Sequence, residues 1–156
     1  MLVYAGFFFA VFVTAVVVFL QVQNQELSRA ENAYAQEIAY GFADSMHTAF
    51  VAGPGFSGTL TLPKDILGKR YWLAVSYSPN AAALETGIVY VEWMSGGKNS
   101  SFSAPTITAN YTPKTDGYGF VTAKDYGTRK FVMVDAAQGF PLNITNEGGG
   151  IRIMKG

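Results

Sequence analysis

Leu2 to Leu20 reads LVYAGFFFAVFVTAVVVFL, a run with no charge and no proline. A helix needs about 20 apolar residues to cross the hydrocarbon of a bilayer, and in lipid only a helix satisfies each backbone N–H and C=O within one segment. The run is therefore read as helix of membrane-spanning length. No Asp, Glu, Lys or Arg precedes Glu26, so all eleven acidic and all eleven basic residues lie beyond it. One chain thus carries two surfaces suited to two different solvents.

A secretory signal peptide would show a basic start and a shorter apolar core ending in small residues, and neither is present. A permanent single-pass anchor normally carries Lys or Arg on its cytoplasmic flank, whereas Met1 alone precedes this run. The expectation is that a short leader has been removed just ahead of the apolar segment, or that the flank's task has passed to another element. Within the run, Gly6, Ala10 and Thr14 recur at every fourth position and fall on one helix face. Small residues at this spacing let a second helix come close, which is what drives association where hydrophobic transfer cannot. Chance produces the same spacing in many spans. Phe7, Phe8, Phe12, Val13 and Val17 fill the other faces and suit packing against copies of themselves or against lipid.

Polarity changes at Gln21 to Gln25, yet no Gly or Pro interrupts the chain until Gly41, so the helix is expected to continue. Leu27, Ala30, Tyr34, Ile38, Phe42, Met46 and Ala49 advance by three or four, an apolar stripe of helical period, with Arg29, Glu31, Gln36, Glu37 and Asp44 largely off it. A helix ending near residue 51 would be about 75 Å long, more than a bilayer requires. Gly53-Pro54-Gly55 then supplies the stop.

Beyond residue 56 the period falls to two, and Thr, Val, Ile, Tyr and Phe alternate with polar residues between Gly, Pro, Asn and Asp turns. Eight strands are expected: Ser57–Leu62, Arg70–Ser78, Thr86–Met94, Phe102–Tyr111, Gly117–Ala123, Lys130–Asp135, Leu142–Thr145 and Ile151–Lys155. Their density predicts an antiparallel two-sheet sandwich. Tyr71, Leu73, Val75, Tyr77, Val89, Val91, Trp93, Val121, Val132, Val134, Ile151 and Ile153 are expected to face inward. Tyr34, Ile38 and Phe42 are expected to pack the helix against that core. The fold class is α+β: an apolar helix over residues 1–25, its amphipathic continuation over 26–52, and a β-rich head over 53–156.

An uncharged apolar N-terminal helix, an amphipathic continuation and a C-terminal β head resemble the plan of the type IV pilin superfamily, most closely archaeal pilins and archaellins. The resemblance rests on Leu2 to Leu20, on the polar break at Gln21 to Gln25, and on Ser57 to Tyr77, SGTLTLPKDILGKRYWLAVSY, which looks like the first hairpin after the helix in archaeal pilin-like proteins. Bacterial type IV pilins carry a glutamate near the start of the mature helix, where Ala5 and its neighbours are uncharged. The resemblance implies a leader cleaved by a prepilin peptidase and residence in the cytoplasmic membrane before assembly. It further implies extraction by an assembly ATPase and platform, and homopolymerisation through the N-terminal helix.

The function expected is a structural subunit of an extracellular filament on the cell surface, serving adhesion or cell–cell contact. The competing expectation is a membrane-anchored extracellular β domain, stator-like or a binding module, that forms no filament. Enzymatic activity is not expected. Asp44, Ser45 and His47 are the best candidates, but one turn of helix cannot make nucleophile, base and orienter converge on a pocket. No catalytic, metal or cofactor site is expected: the chain has no cysteine and one histidine, and no Asp-rich calcium spacing appears. Gly96-Gly97-Lys98 lacks the remainder of a phosphate loop and reads as a hairpin turn. A formal net charge of zero gives no electrostatic reason to expect nucleic acid. Asn99, Asn110 and Asn143 each precede a Ser or Thr by two positions with no Pro between, and are expected to carry glycans.

Overall fold

The computed structural model describes residues 2–77, 87–106, 111–113, 121–126, 129–136, 139–148 and 150–156; the side chains of 2, 3, 77, 111–113, 123–126 and 129 are not described. Helix α1 spans Leu2–Ala52. It ends where expected: Gly53 has φ 80°, a left-handed conformation that costs other residues energy, and its N–H bonds back to the Phe50 carbonyl at 3.3 Å. Among the described residues nine strands follow: β1 (Ser57–Thr61), β2 (Tyr71–Tyr77), β3 (Ile88–Ser95), β4 (Lys98–Pro105), β5 (Tyr111–Pro113), β6 (Val121–Tyr126), β7 (Arg129–Asp135), β8 (Pro141–Asn146) and β9 (Ile151–Lys155).

The strands form two sheets, one of four in the order β1-β8-β9-β5 and one of five in the order β4-β3-β2-β7-β6. Pairing is antiparallel throughout except between β5 and β9, which run parallel. The β3–β4 hairpin turns at Gly96 and Gly97, with φ of 56° and 77°, the two consecutive positive values that a two-residue turn between twisted strands requires. Of the expected turns, Pro79-Asn80 and Asp116-Gly117 lie outside the described residues.

Two expectations about the strands need correction. The segment read as one strand over Phe102–Tyr111 contains the end of β4 and the start of β5, which belong to different sheets. Nor is Ser57–Tyr77 a hairpin: β1 pairs with β8 and β2 with β3 and β7, so the two strands lie in separate sheets. The intervening segment instead folds on itself, with Ile66 and Lys69 exchanging backbone hydrogen bonds at 2.9 and 3.0 Å.

The chain divides into two compact units, Met1–Ala33 and Tyr34–Gly156. In the second, alternate residues of both sheets turn inward, and Leu73, Val75, Val89, Val91, Val121, Val132, Val134, Ile144, Ile151 and Ile153 are buried as the period of two requires. Tyr71 and Trp93 join them as expected, whereas the side chain of Tyr77 is outside the described set. Ala35, Ile38, Ala39, Phe42, Ala43, Met46 and Ala49 belong to the same core cluster. The final turns of the helix are thus part of this unit's interior, and the sequence boundary between 52 and 53 divides one hydrophobic core.

The buried stripe is also rotated from the one read in the sequence. Ile38 and Phe42 are buried as expected, but Tyr34 is 46% exposed and Ala35 fully buried in its place. Within the second unit the buried face thus runs along the alanines at 35, 39 and 43, with Phe42 and Met46 supplying its bulk.

Candidate functional site

Taken by itself, the first unit is a helix with no interior. Tyr4, Phe7, Phe8, Phe9, Val11, Phe12, Val13, Val16, Val17, Val18, Phe19 and Leu20 are between 40% and 74% exposed. Its most apolar 18-residue window has a mean hydropathy of 2.4 and is 0% buried, so α1 is long and apolar enough to cross a membrane. Leaving these side chains in water would cost on the order of 10 kcal/mol or more. Exposed apolar surfaces of this size are the kind that protein–protein and membrane contacts cover.

The chemistry of that surface is uniform. The Thr14 hydroxyl, its one side-chain polar group between Ala5 and Leu20, donates to the Ala10 carbonyl at 2.8 Å within the same helix. It therefore needs no outside partner in an apolar medium. Gly6, Ala10 and Thr14 form a low strip, and a Cβ built on Gly6 would meet nothing within 4 Å. Phe7 and Phe8 stand beside the strip with ring centroids 6.1 Å apart, edge to face. Further along, Arg29 donates to Glu26 at 2.7 Å on an exposed face, a pair of little energetic weight.

Other residues singled out in the sequence are placed as follows. Asp44 and His47 are exposed, and the Ser45 hydroxyl donates to the Gly41 carbonyl at 2.8 Å, so the serine is engaged by its own helix and not by the histidine. Tyr34 and Phe42 line a groove of about 470 Å³ with Glu37, Gly41 and residues Leu60 to Pro63. Asn99 is exposed on β4, two residues beyond the Gly96-Gly97 turn. Asn143 is half-buried on β8, where its Oδ1 accepts from the Thr59 hydroxyl at 3.0 Å. Asn110 lies outside the described residues.

One feature escaped the sequence reading. The outward face of β2, β3 and β7 carries a hollow of about 340 Å³ lined by Ala74, Tyr90, Glu92, Phe131 and Met133. Alternation assigns Tyr90 and Glu92 to the outward face of β3, but only strand register brings Phe131 and Met133 beside them.

Comparison with family models, with curated proteins and with solved structures gives no match.

Proposed function

We propose that this chain is a structural subunit of an extracellular, type IV pilus-like filament that polymerises through its N-terminal helix and serves surface adhesion or cell–cell contact. The observation that carries the reading is the 0% burial of the apolar window in α1, in a chain whose residues from Tyr34 onward form a compact unit. An apolar helix with a low strip at Gly6, Ala10 and Thr14 and a self-satisfied hydroxyl is suited first to lipid and then to a bundle of its own copies. Resemblance to archaeal pilins and archaellins supplies the route: leader removal by a prepilin peptidase, residence in the cytoplasmic membrane, and assembly by an ATPase and platform. Asn99, exposed on β4, is the sequon best suited to carry a glycan at the filament surface.

The same exposed helix also suits a single-pass anchor, so the discriminating measurement is assembly. Material sheared from cells and viewed by electron microscopy is expected to contain regular fibres made of this chain. Its recovery only as detergent-soluble protein, with no fibres, would replace the filament by an anchored extracellular domain.

A further inference from the structure

We propose that the hollow on the outward face of the five-stranded sheet binds an organic cation of the quaternary ammonium class. Ala74 forms its floor between its register partners Tyr90 on β3 and Met133 on β7. The methyl side chain leaves the depth that larger neighbours enclose. Tyr90 and Phe131 meet at one end with centroids 6.0 Å apart and planes at 61°, forming a corner of two rings and not a flat platform. The Glu92 carboxylate is exposed on the wall, and no ion pair engages it among the described residues.

An aromatic ring attracts a compact cation over its face, and a carboxylate beside it adds the opposite full charge. A neutral apolar guest would gain nothing from Glu92. A flat sugar ring stacks best on one open aromatic face, which a corner does not offer. A primary ammonium carries three N–H donors that each need an acceptor. Beneath the hollow, however, the strand backbones are committed to the sheet, since β2 is paired on both sides and β3 and β7 each with two neighbours. Glu92 and the Tyr90 phenol, both on β3, are the acceptors left among the lining side chains, and Phe131 and Met133 on β7 offer no strong acceptor, so ammonium donors turned to that side go unmet. A trimethylammonium head has no donor to satisfy, its methyls match the walls of Phe131, Met133 and Ala74, and its charge matches Glu92.

The test uses the full chain in a polyoxyethylene ether detergent, which contributes neither sugar nor ammonium. The methionine methyls are isotopically labelled, and the Met133 signal is assigned by its loss in Met133→Leu. Titration with choline at constant ionic strength is expected to shift the Met133 methyl saturably and to leave that of Met46, buried in the core, unmoved. The uncharged isostere 3,3-dimethylbutan-1-ol and the primary amine ethanolamine are each expected to bind about tenfold more weakly. Glu92→Gln is expected to weaken choline binding by about fivefold to tenfold without changing that of the isostere, and Phe131→Leu to weaken choline with the β signature intact. Equal binding of choline and its isostere, unchanged choline binding in Glu92→Gln, or the absence of a saturable shift would each overturn the assignment.

Discussion

The Asn146 side chain, at the end of β8, donates its Nδ2 to the Ala49 carbonyl at 2.9 Å in the last turn of α1. Ala49 is one of the last four helical residues, whose carbonyls have no partner within the helix. Asn146 also accepts from the Gly148 N–H at 3.0 Å, and its backbone bonds to Gly55 and Phe56 at 2.8 and 2.9 Å. One buried residue therefore joins the helix end, the turn after it and the β8–β9 connection. Asn146→Ala leaves the Ala49 carbonyl unsatisfied at a buried site and is expected to cost about 1–3 kcal/mol. Urea unfolding followed by circular dichroism measures it, and a midpoint equal to that of the unsubstituted chain would refute the role.

Because Phe42 and Met46 lie in the same core as the strands, the position at which the chain is shortened decides whether it folds. A fragment starting at Asn24 retains the whole Tyr34–Gly156 unit and is expected to be soluble and β-rich. A fragment starting at Gly53 loses every helical residue of the core and is expected to aggregate or stay unfolded, since losing a single buried Phe costs about 3–5 kcal/mol. Well-dispersed NMR spectra from both would show the strands to be self-sufficient.

Leu67 has φ 51° and is followed by Gly68 at 80°, so the two-residue turn between Ile66 and Lys69 places a leucine where left-handed backbone is required. Asparagine tolerates that conformation far better. With a side chain 41% exposed, Leu67 has little packing to lose. Leu67→Asn is expected to stabilise the fold by about 1 kcal/mol, read as a higher denaturant midpoint.

The Tyr71 hydroxyl donates to the Pro63 carbonyl at 2.6 Å, and burial, with the Asp65 charge adding to it, raises its pKa well above the usual tyrosine value near 10. The folded state thus favours the protonated phenol more than the unfolded chain does. Its contribution is complete below about pH 10 and declines as pH rises from there toward the higher folded value. Tyr71→Phe is expected to be less stable at neutral pH and to lose less on alkaline titration, measured by thermal melting at stepped pH.

Ala10 sits in the middle of the Gly6, Ala10 and Thr14 strip, and the Thr14 hydroxyl bonds to its carbonyl. In a bundle of helices Ala10→Leu pushes backbones apart, and Ala10→Glu adds a buried charge costing several kcal/mol. Leu is expected to thin or weaken filaments and Glu to abolish them, with the β signature unchanged in both. Normal filaments from both variants would refute close packing at this face, and loss with Glu alone would keep the helix in a core without it. For an anchor in lipid, Ala10→Leu is expected to be silent.

Much of this architecture is local and so could be read directly. Apolar continuity from Leu2 to Leu20, the stop at Gly53-Pro54-Gly55, and the alternation Leu73/Val75, Val89/Val91, Val132/Val134 and Ile151/Ile153 are properties of neighbouring residues, and each element carries them wherever it is placed. The exposed surface at Gly6, Ala10 and Thr14 was legible for the same reason: a span with no charge advertises its own solvent.

Tertiary structure alone decided which elements meet. Tyr34 and Ala35 are adjacent in sequence and about 100° apart around the helix, so either could begin a stripe of the same period. Ala35 is the one buried, a choice that depends on the opposing surface and not on the helix itself. Strand order was hidden likewise, because alternation names the inward face of a strand but not its neighbour, and β1 found β8 across more than half the chain. The hollow over Ala74 depends on that pairing: its residues come from three strands, and only the register of β2 against β3 and β7 sets a small floor, two rings, a thioether and a carboxylate around one space.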